Sequence, residues 1–182
     1  MKKILPLLLV LFSAVLFSCG KKSDDKASPE ADATWKLGDY TYVKGTSAQS
    51  SSQGPSDGLI TAIAVSTVGT GGSYGAFSGS ALTITFHGHL GEGQYTLGSD
   101  EMLAADPNNR IIVINCTVGT AVNTGAVMYS YGGTAATATV TRDKDGKFHV
   151  SLPTTTLTKK LEVLGGIPSA KASYELTVTN AY

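Results

Sequence analysis

Apolar and polar residues alternate with a period of two along much of this chain. In Leu82-Thr83-Ile84-Thr85-Phe86 every second side chain is apolar, and Thr137-Ala138-Thr139-Val140-Thr141 and Tyr174-Glu175-Leu176-Thr177-Val178-Thr179 repeat the pattern. Successive side chains of a strand point to opposite faces, so the alternation predicts strands with one buried and one wet face. Further strands are predicted at Leu59 to Val68, Gln94 to Leu97, Lys147 to Leu152 and Thr155 to Leu164, with Trp35 to Val43 opening the domain. Ile111 to Val118 is apolar on both faces, and Ile112, Ile114, Cys116 and Val118 share one of them. Asp145-Gly146, between Thr134–Arg142 and Lys147–Leu152, reads as a type I′ hairpin turn, which needs positive φ at both central residues. Helical composition is confined to Asp100 to Ala105, ahead of Pro107. The predicted fold class is all-β: an antiparallel β-sandwich, or a flattened barrel, of about nine or ten short strands over residues 34–182.

The first residues follow a different rule. Lys2 and Lys3 precede an apolar run from Ile4 to Phe17 that only Pro6 and Ser13 interrupt. A bilayer span takes roughly 20 apolar residues, so this run is too short to cross and reads as a secretory signal. It ends in Leu16-Phe17-Ser18-Cys19-Gly20, which resembles the lipobox of bacterial lipoproteins. The resemblance implies that residues 1–18 are a cleaved signal peptide. It also implies that Cys19 carries a thioether-linked diacylglyceryl group and an acylated amino terminus. Residues 19–33 are charged, contain Ser and Pro and lack hydrophobic periodicity, so they are expected to be a flexible tether with a reach of roughly 20 Å. Ser23-Asp24-Asp25 is similar to the acidic surface-export signal of Bacteroidota lipoproteins. Gly93-Gln94-Tyr95-Thr96-Leu97 and the Thr-rich hairpin resemble small β-sandwich lipoproteins of the same phylum, a likeness that implies no active site. An outer-membrane, lipid-anchored protein, exposed on the cell surface if the export signal acts, is the expectation.

Charge and composition narrow the partners. The 182 residues hold 14 basic and 14 acidic side chains, and losing Lys2 and Lys3 with the signal leaves the body weakly anionic. Such a body lacks the basic footprint that nucleic acid requires, and it gains nothing from anionic headgroups. Charged residues are 15% of the chain, below the roughly 25% of ordinary soluble domains, while 42% hydrophobic content is enough for a core. Gly, Ser and Thr carry the polarity instead. They concentrate in Ser47 to Gly58 and in Gly69 to Ser80, both read as loops. The second lacks the Gly-Lys-Ser/Thr ending of a phosphate cradle and the Gly-x-Ser-x-Gly of a nucleophile elbow.

Few residues offer chemistry. With Cys19 lipidated, Cys116 is the last free thiol, set in an apolar run and read as buried and inert. His87 and His89 on one strand face, joined by His149, would make three metal ligands, but no carboxylate is fixed beside them to orient a ring, so no metal and no cofactor is expected. Asp143-Lys144-Asp145-Gly146 is similar to half a calcium loop whose closing Glu is replaced by Leu152. Tyr40 with Tyr42, and Tyr129 with Tyr131, share strand faces and are candidate ligand platforms, because a flat ring packs on the apolar face of a sugar. The function expected is a non-catalytic binding or accessory module for a glycan, peptide or partner protein. The alternatives are a metal or enzymatic site on His87, His89 and His149, and a structural coat or adhesion component.

Overall fold

The computed structural model describes residues 34–53, 59–69, 80–120 and 125–182. In chain order the strands are β1 (Thr34–Leu37), β2 (Tyr40–Gln53), β3 (Leu59–Gly69), β4 (Ala81–His87), β5 (Gly93–Leu97), β6 (Ile111–Thr120), β7 (Gly125–Tyr131), β8 (Thr137–Arg142), β9 (Phe148–Val163) and β10 (Ser173–Ala181). A 3₁₀ turn, Gly88–Leu90, follows β4, and the helix α1 (Asp100–Ala105) lies between β5 and β6. The all-β expectation holds, with ten strands. They belong to one sheet ordered β10-β1-β2-β3-β4-β6-β5-β8-β9-β7, not to two stacked sheets. Because β10 also pairs with β9, and β6 with β7, the circuit of pairings returns to the strand it started from. Closure gives the backbone groups of the paired residues partners on both sides, while β2 beyond Val43 pairs with β3 alone among the described strands.

One pair departs from the antiparallel expectation. β5 runs parallel to β6, with Thr96 opposite Ile111 and Leu97 opposite Ile112. Parallel neighbours need a crossover, and the segment carrying α1 supplies it. The Ser99 side chain caps α1 by accepting from the Met102 backbone N–H, the service expected of a Ser at that position. Leu103 then packs with Ile111 and Val113 in a small cluster on the outer side of β6. Ile112, Ile114, Cys116 and Val118 face the main core. A strand apolar on both faces is thus covered on both.

Two expected boundaries move. Ser47 to Gln53 belongs to β2, paired from Ser47↔Val65 to Gln53↔Leu59 with the apolar β3, so only its Ser and Gln composition suggested a loop. The Gln49 carboxamide also acts as a strand partner: Nε2 donates to the Phe148 carbonyl (3.1 Å) and Oε1 accepts from the Phe148 N–H (3.2 Å). Lys147–Leu152 and Thr155–Leu164 prove to be parts of β9, which continues through Pro153. Leu176 pairs with Thr155 and Val178 with Leu152, so three steps on β9 match two on β10. Pro153 sits in that bulge, a position where its missing N–H breaks no ladder bond. Of the loop expected at Gly69 to Ser80, residues 70–79 lie outside the described residues. Among those described, no helix is long and apolar enough to cross a membrane.

Aromatic rings organise the interior. Trp35 stacks on Tyr42 with centroids 5.1 Å apart, and Phe86 meets Tyr95 and Phe148 edge to face at 5.4 and 5.1 Å. The Tyr95 hydroxyl donates to the Gly91 carbonyl (2.7 Å) and fastens the 3₁₀ turn to β5.

The β8–β9 hairpin turns at Asp143–Gly146, where Gly146 N–H donates to the Asp143 carbonyl and Asp143 N–H to that of Lys147. Only Gly146 is left-handed, at φ +77°, while Asp145 is not. The turn is therefore a type I turn followed by a bulge glycine, not type I′. An added Cβ at Gly146 would meet nothing within 4 Å, so the penalty for a side chain there is conformational alone. Gly146→Val is expected to lower stability by about 1–2 kcal/mol, the cost of a left-handed residue with a Cβ. Unchanged urea denaturation would contradict this.

Candidate functional site

The side chains that converge on the outside of the sheet do so because of a second bulge. Val178 pairs with Leu152 and Ala181 with Val150, so β10 spends three residues where β9 spends two. The same irregularity appears on the other edge, where Thr34 pairs with Asn180 and Trp35 with Val178. Val178 and Ala181 stay in the core, and the extra residue turns both Thr179 and Asn180 outward. Next to them, β9 presents His149 and Ser151 on its outer face, with Thr141 of β8 opposite His149. Thr141, His149, Val150, Ser151, Thr179 and Asn180 line an open cleft of about 350 Å³.

His149 is the hub of this cleft. Its Nε2 pairs with Oδ2 of Asp143 at 3.1 Å, and its Nδ1 bonds the Asn180 carboxamide oxygen at 3.0 Å. The Tyr182 ring packs edge to face on the imidazole, with centroids 5.8 Å apart. Oδ1 of Asp143 accepts from the backbone N–H groups of Asp145 (2.9 Å) and Lys147 (2.8 Å). The carboxylate is thus spent within the turn. The bond from His149, aided by the Lys147 and Asp145 amides, holds the Asp143 carboxyl below its ordinary value. With both ring nitrogens engaged, His149 has none left to bind a metal or to take a proton from a nucleophile.

The residues singled out in the sequence are dispersed. His87 lies on the outer face of β4 but is buried under α1, where its Nε2–H donates to the Leu103 carbonyl at 2.9 Å and Nδ1 has no hydrogen-bond partner. β4 ends there, and Gly88 is pressed against Thr61 and Phe148 so closely that a Cβ would overlap the Thr61 hydroxyl. His89 is exposed, with its ring 5.5 Å from that of His87. His149 belongs to the β8–β10 cleft instead, and among the described residues no three His, Cys, Asp or Glu side chains form a metal cluster. The three-histidine site is therefore not assembled. Asp143 is a turn residue, not half of an ion loop.

The tyrosine platforms are not open faces either. Tyr42 and Tyr129 are buried in the core, Tyr129 donating its hydroxyl to the Lys171 carbonyl at 2.9 Å, and Tyr131 is half-buried. The Tyr40 side chain and Cys19 lie outside the described residues. Cys116 is buried, and burial pushes its thiol up to about 12, with the Trp35 indole acting weakly the other way. At neutral pH it carries no thiolate to react. Asn180 escaped the sequence reading because the β10 bulge breaks the period of two, while Thr179, Thr141 and Ser151 fall on regular outward positions and are of residue types too common here to mark a site. Comparison with protein-family models, with curated proteins and with solved structures finds no match to the chain.

The Asp143–His149 contact carries a pH signature. A carboxyl held below its ordinary value in the folded state stabilises the fold above about pH 4 and loses that contribution as pH falls through the folded value. Asp143→Asn is expected to unfold at lower urea than the parent at pH 7 and to match it near pH 2. A gap of the same size at both pH values would show that the charge plays no part.

Proposed function

We propose that this chain is a lipid-anchored outer-membrane or surface lipoprotein that acts as a non-catalytic binding module, with the cleft over β8, β9 and β10 as its binding face. The observation that carries the proposal is the β10 bulge, which places Thr179 and Asn180 side by side with His149 and Ser151 on an open surface. Bulges recur where a sheet re-aims side chains toward a ligand. Groups of the cleft suit recognition better than turnover, because His149 is bonded at both nitrogens and the Asp143 carboxylate is saturated. The buried Cys116 offers no nucleophile. A metal-dependent reading on His87, His89 and His149 finds no support in their separation.

The anchor half of the proposal rests on Leu16-Phe17-Ser18-Cys19. Acyl chains contribute about 0.8 kcal/mol per buried methylene, so two or three hold a protein far more firmly than a weakly charged body would. Cys19→Ala is expected to leave an uncleaved precursor or to release the protein from the membrane fraction. Added protease should digest the wild type on intact cells. Cys19→Ala protein that is cleaved at the signal and still sediments with membranes would defeat the anchor. Digestion only after lysis would place the wild type on the periplasmic side.

A further inference from the structure

We infer that the cleft over β8, β9 and β10 takes an uncharged carbohydrate; the inference rests on the reading of the chain as a binding module and names the ligand class of that site. Four observations select the class. First, the lining is hydroxyl and carboxamide: Thr141, Ser151 and Thr179 each donate and accept, and the Asn180 carboxamide, with one end on His149, keeps the other for a ligand. Groups that both give and take hydrogen bonds match the hydroxyls of a sugar.

Second, no Asp, Glu, Lys or Arg side chain lines the cleft. Asp143 spends both oxygens, on His149 and on two backbone amides, and the Arg142 guanidinium lies 4.2 Å above the Phe148 ring. An anionic or cationic ligand would lose its water here without gaining an opposite charge. Third, the one aliphatic lining residue, Val150, is 1% exposed, so a lipid or another apolar ligand finds no surface to cover.

Fourth, the backbone is closed to a peptide. Extended peptides gain most of their affinity by adding to a free sheet edge. At the cleft β8 lies between β5 and β9, β9 between β8 and β10, and β10 between β9 and β1. Side chains alone face the ligand. A volume of about 350 Å³ lies at the lower end of the range for small-molecule sites.

The test uses the full-length protein in nanodiscs, screened against neutral oligosaccharides, uronic-acid polymers and short peptides, with affinities measured by calorimetry. Asn180→Ala removes the carboxamide, while Ser151→Arg fills the cleft. Each should weaken a neutral oligosaccharide by about tenfold or more, the worth of one good hydrogen bond. Thr96→Arg, on the exposed side of β5, should leave the affinity within about twofold, and circular dichroism should show all three variants folded. A neutral glycan bound equally by Ser151→Arg would overturn the inference while leaving a binding module. Selective retention of peptides or polyuronates, lost in Ser151→Arg, would keep the cleft and overturn the sugar. Failure of all three classes to bind would overturn the sugar and leave the binding-module reading to a protein partner.

Discussion

Thr34–Leu37 pairs with Tyr40–Val43 on one edge and with Leu176–Asn180 on the other, so β1 joins the beginning of the described chain to its end. Without it the sheet would present two raw edges, at β2 and β10, and the circuit would open. The same four residues insert Trp35 and Leu37, both buried, into the interior. Trp35 stacks on Tyr42 of the neighbouring strand and reaches Cys116 of β6 on the far side of the circuit. Closure and core are therefore one event: the strand that completes the hydrogen-bond ring also fills the space the ring encloses. Everything outside that ring, including α1 and the β8–β10 cleft, is decoration on a surface the ring holds still.

How much of this was legible in the sequence depends on the range of the forces that decide it. In β4 and β8 the alternation of apolar residues with Thr records which side meets the core, because a strand's pleat is local. The Ser and Gln run of β2 carries no such record. Its pairing comes from the apolar β3, whose partner is chosen by the fold and not by Ser50 or Ser52. The parallel contact of β5 with β6 was equally hidden, since the crossover that permits it depends on where α1 packs. The burial of His87 has the same cause: the Leu103 carbonyl that accepts its hydrogen bond is supplied by a helix that no local pattern ties to β4.

Side-chain identity alone was a poor guide to the site. Three histidines and four tyrosines drew notice as the residues richest in chemistry, yet the described ones are divided among core, turn and surface. Environment assigns their roles: His87 is a buried donor, Tyr129 ties β7 to the segment before β10, and His149 braces a hairpin against β10. The cleft instead gathers Thr, Ser and Asn, residue types so common here that their presence signals nothing. Regular alternation places the Thr and Ser side chains, and a single irregularity in register brings Asn180 to join them.

That irregularity separates the surface from the core. Val178 and Ala181 point inward and two residues stand between them, where a regular strand would have one. Removal of one residue would restore simple alternation, with an aliphatic side chain still inward at each end. Insertion and deletion, more than substitution, are thus the natural currency of change at this face. A single codon gained or lost here would change the outward pair while the ring of strands stayed intact.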